Sequence, residues 1–223
     1  MLGSEIRNLV VVKMDECTPY GPKDGGPTVL LTGGDELSEI KPLDYYIDKS
    51  LAEAANEVLW LIPVYIAGYK TADVTAVPDE EDNRIGTIKM PSDYLRLHTL
   101  RMQGWAKPVH IASPVDSPMS SAQDLFWTRG KKEKPVVIVK GIAQENGKDV
   151  ATLAYYSVDA SNEHVIKELK YIPRFNEQNE YGKAVAELIA LNCAKKIYEV
   201  YGNIEQVNTM TNEINAVLAN INQ

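Results

Sequence analysis

The stretch KPLDYYIDKSLAEAANEVLWLIP, Lys41 to Pro63, decides the fold class. Its residues Ile47, Leu51, Ala54, Ala55, Val58, Leu59 and Ile62 recur at steps of three and four, while Asp48, Lys49, Glu53, Asn56 and Glu57 fall mostly off that stripe. This is the pattern of a helix with one face on a core. Pro42 suits a first turn. Pro63 ends the run, because a proline ring disfavours helical geometry in the residue before it. Upstream, Ile6, Leu9, Val10, Lys13, Met14 and Cys17 keep helical spacing too, and predict a first helix, although NLVVVKM is β-branched enough for a strand. Between them, TPYGPKDGGPTVLLTGGDELSE places Gly and Pro clusters around a short apolar run, an extended excursion or loop.

Helical period returns after Pro173. Val185, Leu188, Ile189, Asn192, Cys193, Ile197, Val200 and Tyr201 form a stripe, Gly202 offers a left-handed stop, and Asn203 with Gln206 resembles a capping box. In the last helix Val207, Met210, Ile214, Val217 and Ile221 alternate steps of three and four, the spacing of a bundle seam.

From Thr71 to about Tyr171 the period moves towards two, and turn residues come at short intervals. RIGTIKM, YLRLHTLRMQGW, KPVHIASP, DLFWTRGKKEKPVVIVKGI, GKDVATLAYYSV and HVIKELKYI read as strands. In DLFWTRGKKEKPVVIVKG the tip RGKKEK is expected to join an aromatic strand to a Val/Ile strand, as a hairpin with a basic turn. The expected fold is α+β: a helical bundle from residues 1–70 and 173–223, with an inserted, mostly antiparallel β-sheet domain over 71–172.

The 223 residues fit one domain or one domain with a sizeable insertion. No segment approaches the roughly 20 uninterrupted apolar residues of a membrane span, because Lys13 and Pro63 close the longest runs. The start MLGSEIRN carries an acid and no basic n-region, so a secretory signal is not expected and synthesis is placed in a cytoplasm. A net charge of −8 argues against a surface built to grip nucleic acid. Cys17 and Cys193, far apart and without CxxC or His-rich surroundings, read as reduced core thiols.

Residues that carry chemistry elsewhere lack their settings here. His98, His110 and His164 have no second ligand at helical or turn spacing, and read as satisfied structural residues. Gly25-Gly26 and Gly33-Gly34 lack the strand and Lys-Ser/Thr of a phosphate loop. Asp79, Glu80, Glu81 and Asp82 lack the interleaved Gly and distal Glu of a calcium loop, and read as a solvated run. The serines of ASPVDSPMSSAQ lack a GxSxG setting. No catalytic residue, metal ligand or cofactor is therefore expected. An aromatic and basic set remains: Trp105, Phe126, Trp127, Arg129, Lys131, Lys132 and Lys134. Tryptophan and arginine are enriched at interface anchors, which makes Trp105, Trp127, Arg129, Lys131, Lys132 and Lys134 interface candidates; a Trp beside a Gly, as at Gly104-Trp105, serves equally as a core plug. Single-stranded nucleic acid would want aromatics spaced along a basic groove, whereas these basic residues occupy one turn.

The order of the helix DYYIDKSLAEAANEVLWLIP, the turn Met90-Pro91-Ser92-Asp93-Tyr94-Leu95-Arg96 running into a strand that ends Gly104-Trp105, and the hairpin DLFWTRGKKEKPVVIV resembles the neck ring proteins of crAss-like bacteriophages. These belong with the head-to-tail adaptors of the tail tubular protein A group. The resemblance spans roughly Leu43 to Lys140, and the Thr18–Gly34 excursion departs from it. It implies a virion structural protein at the head–tail junction, one subunit of a homomeric ring of about a dozen copies. Its partners would be the portal protein and other neck or tail proteins, with genomic DNA passing the channel without sequence-specific binding. It also implies that MPSDYLRLHTLRMQGW, Met90 to Trp105, is a strand of the inserted sheet whose polar residues face a neighbouring subunit. The rival readings are an outer virion decoration or binding protein, and a serine hydrolase with its site under ASPVDSPMSS.

Overall fold

The computed structural model describes residues 1–16, 43–125, 127–145, 147–156 and 164–221; Cys17, Phe126 and the Thr18–Gly34 excursion lie outside them. In chain order the elements are α1 (Gly3–Glu16), α2 (Leu43–Leu61), β1 (Lys70–Thr71), β2 (Ala76–Pro78), β3 (Ile85–Lys89), β4 (Tyr94–Met102), β5 (Ser113–Pro114), α3 (Pro118–Ser121), β6 (Val136–Glu145), β7 (Lys148–Tyr156), β8 (Ile166–Pro173), α4 (Lys183–Val200) and α5 (Ile204–Ile221). The protein is α+β, with helices at both ends and the strands between. It divides into two compact units, Met1–Gly68 with Phe175–Gln223, and Tyr69–Arg174. No helix among the described residues is long and apolar enough to cross a membrane.

In the helical unit every member of the α2 stripe, Ile47 through Ile62, is buried. The stripe lies on α4, which also packs against α1 and α5. Ala186, Ala190 and Ala194 recur every four residues along α4 and are buried, as are Leu191 and Tyr198, so its covered surface is wider than the stripe read from spacing. Val200, expected in that stripe, is exposed, because α4 ends there and Gly202 turns the chain at φ 68°. Polar residues close the seams. Asn192 Nδ2 donates to the Ala54 carbonyl at 3.0 Å and to Glu57, and Lys196 Nζ reaches Glu53 at 2.9 Å and Glu57 at 2.8 Å. Tyr198 donates its hydroxyl to the Met14 carbonyl, and Arg7 on α1 pairs with Asp44 and Asp48 on α2. Asn203 caps α5 by accepting from the Gln206 N–H. Met210 alone of the α5 seam is fully buried; Val207, Ile214, Val217 and Ile221 are half-buried.

In the other unit, the sheet expected as one is two: β1-β8-β4, and β2-β3-β7-β6-β5, antiparallel throughout except for the short parallel pair β5–β6. Ile88, Leu153 and Tyr155 from the larger sheet share a core with Leu97, Leu100, Leu169 and Tyr171 from the smaller. The stretch Met90–Trp105 is a turn followed by β4. Register shifts at Tyr94/Arg96, Leu97/Thr99 and Arg101/Met102 break the strict alternation, so Leu97, Thr99, Leu100 and Met102 are all buried between Arg96, His98 and Arg101. Asp93, from the preceding turn, accepts from Lys70 Nζ at 2.9 Å on β1 and from the Tyr171 hydroxyl at 2.7 Å on β8.

The expected hairpin through RGKKEK does not form. The Thr128 and Arg129 N–H groups bond back to the Leu125 carbonyl, which curls the aromatic segment into a turn, and Lys131 and Lys134 close a tight turn of their own. The hairpin partner of β6 is β7, joined where Gly147 takes φ 72° after Asn146. Asn-Gly is the stronger hairpin signal, because its two residues tolerate the left-handed conformations a two-residue turn requires.

Gly86 on β3 has no room for a side chain: a Cβ there would lie 2.1 Å from the Tyr155 hydroxyl and 2.6 Å from the Val77 carbonyl oxygen. Gly86→Ala is expected to lower stability by about 1–3 kcal/mol through overpacking. Gly141→Ala meets nothing within 4 Å and should stay within about 0.5 kcal/mol of the parent; urea unfolding of both checks this. Cys193 is fully buried, and burial pushes its thiol up to about 12. Cys193→Ala should fold and cost about 1–3 kcal/mol, on the scale of a small cavity, in the same assay.

Candidate interaction surface

Between β4 and β6 the chain spends residues 103–135 mostly in turns, and the interface candidates fall there unequally. Trp105 is 3% exposed and belongs to the core shared by the two sheets, so it is a plug and not a surface anchor. Trp127 is 85% exposed. Lys131, Lys132 and Lys134 are exposed on their turn. Arg129 is turned inward: its guanidinium pairs with Asp82, and its Nε donates to the Gln123 carbonyl at 2.9 Å.

The organiser of this loop is Gln123, 1% exposed. Its Nε2 donates to the Met119 carbonyl at 2.8 Å and its Oε1 accepts from the Gly130 N–H at 2.8 Å. Thr128 Oγ1 donates to the Ala122 carbonyl at 2.6 Å. Ser117 caps α3 by accepting from the Ser120 N–H, and its hydroxyl donates to the Pro114 carbonyl. The loop's backbone and side-chain polar groups thus satisfy one another, and apolar side chains are left outside: Val115 at 59%, Met119 at 48% and Leu125 at 61% exposed, with Trp127. Chemically the arrangement offers exposed apolar side chains on a hydrogen-bonded loop that leads into a lysine-bearing turn.

Asp82, from the run read as solvated, is part of this fastening, since it also accepts from the Arg84 N–H. Asp79 accepts from the Glu81 and Asp82 N–H groups, and those backbone bonds hold its carboxyl below the usual range. His164 bridges the Tyr155 hydroxyl and the Asn83 carbonyl, and His98 and His110 meet around Thr99. Among the described residues no group of three or more His, Cys, Asp or Glu is placed to hold a metal ion. Sequence reasoning missed Gln123, Leu125 and Met119: a Gln between Ala122 and Asp124 carries no sign that it will be buried, Met119 stands alone in a Ser/Pro-rich stretch, and Leu125 before Phe126 and Trp127 reads as part of a strand. The chain matches no protein-family model and no curated protein.

Gln123→Leu strands the Gly130 N–H and the Met119 carbonyl without their partner, and should loosen the loop locally by about 1–3 kcal/mol. Faster tryptic cleavage after Lys131 and Lys132, with the melting of the sheets little changed, is the expected result.

Proposed function

We propose that this chain is a virion structural subunit that closes into a homomeric ring between portal and tail, around the channel for the genome. The observation that carries the reading is that Met119, Leu125 and Trp127 are exposed on one hydrogen-bonded loop. Large apolar side chains held outward on a loop fastened from within suit association, because the ordering cost is met before the partner arrives. Tryptophan in such a position is a common hot spot. The neighbouring lysines favour contact with a copy of a chain whose net charge is −8. An acidic ring also suits a DNA conduit, since a lumen that neutralised phosphates would hold the genome back. In this reading the free chain is monomeric and the ring closes on the portal, whose repeated sites raise the local concentration of neighbours.

Light scattering after size exclusion, on the chain with and without its portal protein, tests this. The expected result is a monomer alone and a complex of about a dozen copies on the portal. Leu125→Ser with Trp127→Ser should leave thermal unfolding unchanged, as both residues are exposed, and weaken ring closure at least about tenfold, since truncating one anchor commonly costs over 1 kcal/mol. Lys131, Lys132 and Lys134 changed together to Ser should weaken docking more at low salt than at high. A wild-type chain that never binds portal would overturn the adaptor reading. Hundreds of copies per particle would instead favour an outer decoration protein.

A further inference from the structure

The edge of β4 that faces away from β8 is closed by a short strap. Val109 and Leu100 exchange both backbone hydrogen bonds, each at 2.8 Å. Next to them, His110 Nδ1 lies 3.0 Å from the His98 carbonyl oxygen and 3.3 Å from Thr99 Oγ1, and His98 Nδ1 lies 2.8 Å from the same Oγ1. The register shift between Leu97 and Thr99 lets two consecutive side chains meet on one side of the strand.

The direction of each bond follows from one carbonyl. The His98 oxygen only accepts, so His110 Nδ1 carries a proton and donates to it and to Thr99 Oγ1. Thr99 has a single hydroxyl proton, and the acceptor left for it is His98 Nδ1. The arrangement that gives every one of these groups a partner has His98 as the neutral Nε2–H tautomer, with its lone pair on Thr99. Protonating His110 at Nε2 leaves this relay intact. Protonating His98 at Nδ1 turns an acceptor into a donor: Thr99 Oγ1 then meets two N–H groups while its own proton has lost its acceptor. Thr99 is 4% exposed, which makes that mismatch costly.

We propose that His98 is the sensor of a pH-operated catch, whose protonation takes the acceptor from the Thr99 hydroxyl and so weakens the hold of the Val109–His110 strap on the edge of β4. The groups around His98 set the direction. Burial, then Lys170 on β8, His110 on the strap and Arg96 on β4 all lower its pKa below the ordinary value, against Glu168 on β8, which is itself bound by Lys170 at 2.8 Å. The Tyr69 ring meets His98 tilted at 45°, with centroids 4.7 Å apart, and Lys170 Nζ lies over the Tyr69 ring at 4.8 Å from its centroid. Because the folded value is depressed, the neutral relay contributes fully above the unfolded value of about 6.5 and is lost as pH falls through the lower folded value. The catch is shut at neutral pH and opens only as pH falls below the ordinary histidine value. The freed edge carries the Leu100 N–H and carbonyl, groups able to pair with an added strand.

Nuclear magnetic resonance on the full chain tests the catch. At pH 7.5 the ring nitrogens of His98 should report the Nε2–H tautomer. As His98 titrates, protection of the Leu100 and Val109 amides, corrected for intrinsic exchange, should fall about tenfold or more, with amides of the β6–β7 ladder unchanged. His98→Gln keeps an acceptor for Thr99 at every pH, and its strap should be protected equally at pH 7.5 and 5. An Nδ1–H tautomer at His98, protection in the wild type that does not follow its titration, or an equal loss in His98→Gln would overturn the proposal.

Discussion

The fold depends on the sheet unit ending where it began. β1 and β8 are antiparallel neighbours, with Lys70 opposite Tyr171 and Thr71 opposite Lys170. Asp93 clasps this pair from the turn Met90–Arg96, holding the Lys70 ammonium and the Tyr171 hydroxyl in one carboxylate, while its carbonyl accepts from the Arg174 N–H. A chain that leaves and returns side by side can interrupt a helical bundle without separating its halves. The bundle itself needs this, since its α2–α4 seam is tied by Asn192 to Ala54 across 138 positions. Joining segments so distant carries a loop-closure cost that grows only slowly with length, and a folded insertion with paired ends reduces the freedom left to lose.

That clasp places the polar residues of Met90–Trp105 in a structural light. Asp93 fastens the two end strands, His98 and Thr99 hold the strap, and Trp105 fills the core. The exposed side chains of Val115, Met119, Leu125 and Trp127 lie on α3 and the turns after β5. There the hydrogen bonds of buried Gln123, with those of Arg129, Thr128 and Ser117 around it, do the work that apolar packing does in the sheets. With its hydrogen bonds spent internally, the loop presents Leu125 and Trp127 at little further cost in order.

The sequence by itself determined the helices and most of the strands. Ile47, Leu51, Ala54, Ala55, Val58, Leu59 and Ile62 repeat at the helical period and all are buried; RIGTIKM, GKDVATLAYYSV and HVIKELKYI read as strands, and β3, β7 and β8 run through them. Periodicity reports which side of an element faces a core, and that is enough to give an α+β chain with helices at both ends. Only tertiary structure decided the rest. Two sheets in place of one follow from which edges meet, a matter of partners and not of period. The failed hairpin at Leu125–Lys134 turned on backbone bonds to Leu125 that no local propensity announces. Trp105 and Trp127 are the same residue type, yet one is buried and the other exposed, because burial is set by what the rest of the chain lays over a side chain. Gln123 became the centre of the surface loop for the same reason: a side chain that donates and accepts has no preferred depth until its partners are in place.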